Sequence, residues 1–159
     1  MNGFLKGLVL LSTAVILQVL LSHKVPPIHR AVDLVLLVVI YYGSAGARIG
    51  AMFAGAAGGL LEDVWFGDLM GIHGLIKTVI GYVLGGLGAR FDLTRPAARI
   101  VAVLLGTLLD WAVEPVVLLG LGLPAGAPRA VELLWRSAGN GLVGALVFSL
   151  VGKKGLVNA

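Results

Sequence analysis

Six apolar stretches, each closed by a short polar or Gly/Pro-rich break, fill almost the whole chain of 159 residues. They run over 3–22, 31–46, 48–64, 74–90, 96–121 and 132–151. The breaks are Pro26-Pro27, Gly43 to Gly46, the polar turn between Gly67 and Gly74, Thr94-Arg95-Pro96, and Pro124 to Pro128. A transmembrane helix needs ~20 mainly apolar residues, and about 17 is the lower end of the range. Several stretches sit near that limit, so five spans compete with six, and the punctuation favours six. No segment is long or polar enough for an extramembrane domain. The pattern predicts an all-α membrane protein, a six-transmembrane-helix bundle forming a single domain over 1–159.

Composition agrees. Hydrophobic residues make up 58% and charged residues 13%, whereas soluble domains average about 45–50% and about 25%. With no cysteine, a disulfide scaffold and a cysteine-ligated zinc site are both excluded. The start of the chain, Lys6 followed by an apolar run to Ser22, has the order of a signal peptide. The run exceeds the usual 7–15 residues or so and no A-x-A site closes it, which predicts a retained first helix. The net charge of +4 does not imply nucleic acid, since no basic run exceeds Lys153-Lys154. Its distribution carries more information. With the N-terminus inside, seven basic residues (Lys6, Arg48, Arg90, Arg95, Arg99, Lys153, Lys154) lie at inner ends and three (Lys24, Arg30, Arg129) in outer loops. That bias predicts both termini on the cytoplasmic side of the membrane.

Ionisable residues inside spans are costly and are expected to pair or to line a cavity. Asp110 and Glu114 are four apart on span five, and Arg136 and Asn140 four apart on span six, so each pair shares a helix face. An antiparallel hairpin centred near residue 125 sets Glu114 beside Arg136 and Asp110 beside Asn140. Asp110 then lies about 6 Å deeper than Glu114. The same construction about residue 70 sets Asp63 level with Lys77, with Glu62 one step away. These ladders read first as glue fixing helix register. A proton or substrate path would need a polar series reaching both faces, and the chain supplies none. Pro115 beside Glu114 would kink span five or free a carbonyl there.

Small residues repeat every four positions in Gly50/Ala54/Gly58 and Ala51/Gly55/Gly59 on span three. They do so again in Gly81/Gly85/Ala89 on span four and Ser137/Gly141/Ala145 on span six. Such rows let helix backbones approach closely. Internal packing claims most of them, and one is available for a partner's transmembrane helix. His23, His29 and His73 read as solvated loop histidines without metal-ligand spacing. No G-x-S-x-G, HExxH or Walker-type loop is present, so neither enzyme, cofactor nor metal is expected. Trp65, Trp135 and Tyr41-Tyr42 sit where interfacial aromatics belong, while Trp111 lies near mid-span beside Asp110.

The run Asp33-Leu34-Val35-Leu36-Leu37-Val38-Val39-Ile40-Tyr41-Tyr42 leads into Gly55-Ala56-Ala57-Gly58-Gly59-Leu60-Leu61-Glu62-Asp63. Gly67, Gly71, Ile72, His73 and Gly74 follow, then Ile80-Gly81-Tyr82-Val83. This sequence resembles the MreD family of rod shape-determining proteins over roughly residues 30–90. The family pattern is an aspartate-led apolar span, a glycine-rich span ending in aspartate, a glycine turn and a Gly-Tyr helix. Two departures stand out: Val32 where the family usually has proline, and the extra charge of Glu62. Asp33 and Asp63 match the motif aspartates.

The resemblance implies a non-enzymatic scaffold of the bacterial cell-elongation machinery in the cytoplasmic membrane. It would bind the single-pass protein MreC and sit near RodA, its class B transpeptidase and MreB, supporting peptidoglycan synthesis. A glycine row is the expected seat for the MreC helix, and a homodimer is compatible with this. The family is also similar in helix count and shape to the S-components of energy-coupling-factor vitamin transporters. A small-molecule transport subunit with an outer polar pocket formed by Glu62, Asp63, Lys77, Glu114 and Arg136 is therefore the alternative.

Overall fold

The computed structural model describes residues 3–24, 31–66, 69–126 and 130–151. Among these residues the chain forms six helices and no strand. They are α1 (Gly3–Lys24), α2 (Leu34–Ser44), α3 (Arg48–Phe66), α4 (Ile72–Gly88), α5 (Pro96–Gly120) and α6 (Ala130–Val151). All six coincide with the expected stretches to within about a turn. The first and last turns of several lie a few residues away because caps, rather than hydropathy, fix helix ends. Thus α2 starts at Leu34, since Asp33 is extended (φ −118°, ψ 97°) and accepts the Leu36 amide on its side chain. The fourth helix starts at Ile72, where Gly71 adopts φ +99°, a conformation L side chains rarely take. Pro96 at the first turn starts α5, where its missing N–H costs nothing, and α5 continues through Pro115.

The centre of the bundle is α2. It is apolar on every side, as expected of a helix enclosed by others, and Val35 to Tyr41, Gly43 and Ser44 are all buried. It contacts all five other helices. Around it the neighbours run α1, α3, α4, α5, α6, and α1 and α6 do not meet. At 11 residues α2 is only about 16 Å long, about half the ~30 Å hydrocarbon thickness of a bilayer. Two helices, α5 and the Gly7–Lys24 part of α1, are long and apolar enough to cross a membrane.

The outer surface is apolar. Ile16, Ile49, Phe53, Val101, Leu142 and Leu146 are exposed on four different helices, far more than water tolerates on a monomer. In lipid, burying such side chains gains little, so close backbone approach and polar links must hold helices together.

The α3–α4 contact is built from close approaches of this kind. A Cβ on Gly59 would lie 2.5 Å from the Gly74 amide nitrogen, one on Gly81 2.6 Å from the Ala51 carbonyl oxygen, and one on Gly85 2.5 Å from the Arg48 Cα. One on Gly55 would strike the Lys77 carbonyl. The row Ala51/Gly55/Gly59 and the row Gly81/Gly85 therefore face each other. The adjacent row turns to the bundle's centre. Gly58 meets Val35 and Leu11, Gly50 meets the Tyr42 ring, and Ala54 is buried. Each of these rows, among them the expected seats for a partner helix, is already covered by a neighbouring helix. Only on α6 does a row stay open, with nothing within 4 Å of a Cβ at Gly141.

Candidate functional site

Because α2 begins inside the bundle, its first amides need partners where no water is at hand. Side chains from three helices supply them. Asp33 Oδ1 accepts the Leu36 amide at 2.7 Å, Asn140 Oδ1 accepts the Asp33 amide at 2.8 Å, and Gln18 Oε1 accepts the Leu34 amide at 2.9 Å. The Gln18 amide nitrogen in turn donates to the Val32 carbonyl at 2.9 Å, and Asn140 Nδ2 donates to Thr107 Oγ1 at 3.1 Å. The helix start is thus tied to α1, α5 and α6.

The remaining oxygen of Asp33 carries the electrostatics. Its Oδ2 lies 2.8 Å from Lys77 Nζ, and the same ammonium meets Glu62 Oε2 at 2.5 Å. Lys77 is 1% exposed and Glu62 4%, so one ammonium of α4 is shared by carboxylates of α2 and α3. A charge sealed this deeply is tolerated only when paired and hydrogen-bonded.

A second cluster gathers around Arg136. Its Nη1 donates to Asp110 Oδ2 at 2.9 Å, and its Nη2 lies 3.3 Å from Glu132 and 3.8 Å from Glu114. The guanidinium fork suits such sharing. Asp110 Oδ1 and the Trp111 indole nitrogen are buried there without a hydrogen-bond partner.

The spacing arithmetic placed these residues in the right neighbourhoods but mispaired two of them. Asp63 does not meet Lys77. It accepts the amides of Gly71 (2.7 Å) and His73 (3.2 Å), and its Oδ1 lies 2.7 Å from His73 Nδ1. Adjacent helical residues point about 100° apart. Glu62 therefore turns to Lys77 while Asp63 turns to the start of α4, capping it from across the turn. His73 is correspondingly not a free loop histidine. Asp110 does not face Asn140 either, because the long Arg136 side chain reaches past Glu114 to take Asp110 and Asn140 pairs with Thr107. The pairing of Glu114 with Arg136 is formed, at the longest of the three distances. Gln18 and Thr107 were missed. The signal for Gln18 was a lone amide in the Leu/Val run of α1, which is 5% exposed although most of that helix faces outward.

All these groups lie in the half of the bundle where α1, α3 and α5 finish. Of the described acidic residues, only Asp92 lies at the opposite end, bonded to Thr94 and Arg95. The arrangement can lock helix order and hold charge. Among the described residues no cluster of three or more His, Cys, Asp or Glu side chains is suited to a metal ion.

The model of the family described as rod shape-determining protein MreD matches residues 1–125. No curated protein and no solved structure matches the chain, so the likeness to transporter S-components gains no support from known structures. The matched region includes α1 to α5, with Asp33, Glu62, Asp63, Lys77, Asp110 and Glu114. On this match the chain belongs to the MreD family of rod shape-determining proteins.

Proposed function

We propose that the protein is a non-enzymatic scaffold of the bacterial elongation machinery. All six helices lie in the cytoplasmic membrane, with both termini inside. Family membership supports the role. The apolar outer surface and the crowding of basic residues at one end support the placement. In this reading the buried ion pairs are internal fasteners that hold the shape of a partner-binding surface, and peptidoglycan synthesis is supported through the proteins assembled on it.

The partner is MreC, and its transmembrane helix docks on α6 along Ser137, Gly141 and Ala145. The observation that carries this choice is the open space at Gly141, beside exposed Leu142 and Ala145, when the rows on α3 and α4 are covered. A photo-crosslinking residue at Leu142 or Ala145 in the host cell is expected to capture MreC, whereas one at Phe53 on α3 is not. Capture from Phe53 alone would move the docking face. If mild-detergent purification recovered an ATPase pair with a transmembrane coupling subunit and no MreC, the scaffold reading would be replaced by the transport one.

A further inference from the structure

Between α1 and α6, which do not touch, a groove opens whose floor is α2. Its walls include Leu10, Ala14 and Leu17 of α1 and Val147 and Phe148 of α6, with Leu37 beneath. The exposed lining is apolar, and the hydroxyl of Thr13 at its edge is turned onto the Val9 carbonyl at 2.7 Å. The cavity is about 120 Å³. An apolar space of this kind does not hold water, and a helix about 10 Å across does not fit it. A few methylenes of one hydrocarbon chain do, with the rest of the chain lying along the open side.

The groove's end is charged. Phe148 stands in the last turns of α6, and the Arg99 guanidinium lies over its ring, 5.6 Å from the centroid, with Nη1 donating to the Phe148 carbonyl at 3.4 Å. Among the described residues no carboxylate pairs with Arg99, and Asp92, the one described acid at this end, is bonded to Arg95.

We propose that this groove is a binding site for an anionic phospholipid of the inner leaflet, one acyl chain lying between α1 and α6 and its phosphate facing Arg99. The inference rests on the membrane placement proposed above but not on MreC. The complementarity is that of a basic residue at the membrane surface with an anionic headgroup.

The test is native mass spectrometry of the full chain released from detergent with dioleoyl phosphatidylglycerol or dioleoyl phosphatidylcholine. One retained lipid is expected, with phosphatidylglycerol preferred about fivefold or more. Arg99→Gln should remove the preference while keeping a lipid, and Ala14→Phe, which fills the groove, should remove both. Where Ala14→Phe does not fold, Thr13→Phe at the exposed rim replaces it. Equal retention of the two lipids by the unaltered protein, or undiminished retention in a folded groove-filling variant, overturns the proposal. So does a crosslinker at Thr13 that captures a second copy or a protein helix instead of lipid. Loss of the MreC adduct with lipid retention intact would strike the scaffold reading alone.

Discussion

Asp33 serves two helices with one carboxylate: Oδ1 caps α2 through the Leu36 amide, and Oδ2 takes the ammonium of Lys77 on α4 at 2.8 Å. The cap fixes where the central helix starts, and the ion pair fixes which way α4 is turned. Neither function is separable from the other.

Lys77→Met should therefore leave Asp33 and Glu62 as buried carboxylates without a cation. Removing one partner from such a pair costs about 3–5 kcal/mol. Adding Glu62→Gln and Asp33→Asn to Lys77→Met should recover much of the loss, because an asparagine still caps α2. Thermal unfolding in detergent distinguishes the two. A triple variant no more stable than Lys77→Met would contradict the pairing.

Asn140→Leu removes the acceptor of the Asp33 amide and the partner of Thr107 together. A loss of about 1–3 kcal/mol per stranded buried group is expected. Gln18→Leu should act similarly through the Leu34 amide. Hydrogen exchange at Asp33 and Leu34 reads both effects directly. Unchanged protection in either variant would mean that the other partners of α2 suffice.

A glycine of a packed row and one of the open row provide a contrast. Gly55→Leu forces a side chain into the Lys77 backbone, and overpacking of this kind costs about 1–3 kcal/mol or more. Gly141→Leu meets open space and should change stability by less than about 0.5 kcal/mol while weakening MreC capture. Equal destabilisation by both substitutions would refute the assignment of one row to packing and the other to docking.

At the α4–α5 turn, hydrogen bonds from the Thr94 hydroxyl and amide, and then from Arg95, hold the Asp92 carboxyl below the usual aspartate range. A depressed folded value means that the turn's contribution is complete above the ordinary aspartate pKa and fades as pH falls through the lower one. The Thr94 amide resonance should therefore stay constant from about pH 8 down to about pH 5 and move only in stronger acid. A midpoint above that of a free aspartate would reverse the sign.

The helices were legible because apolar runs and Gly/Pro breaks are local signals. The α3–α4 charge contact was nearly legible, since a hairpin imposes an antiparallel register and Glu62 lay one step from the residue chosen. What hairpin arithmetic does not reach is contact between helices distant in sequence. Asp33 with Lys77, and Asp33 with Asn140, depend on which helices surround α2, and no spacing within one hairpin encodes that. The glycine rows were visible, but not which of them faced inward, because a small residue looks the same on either side of a helix.

The burial of α2 has a consequence for biogenesis. The Asp33 amide is satisfied by a residue 107 positions later in the chain, which a ribosome adding about 5–20 residues per second delivers roughly 5–20 s afterwards. During that interval the nascent chain holds its eventual central helix half-assembled, its polar start awaiting the last span. The middle of the molecule is thus completed by its end, and a chain cut short before α6 would leave the insertion machinery holding an unfinished core.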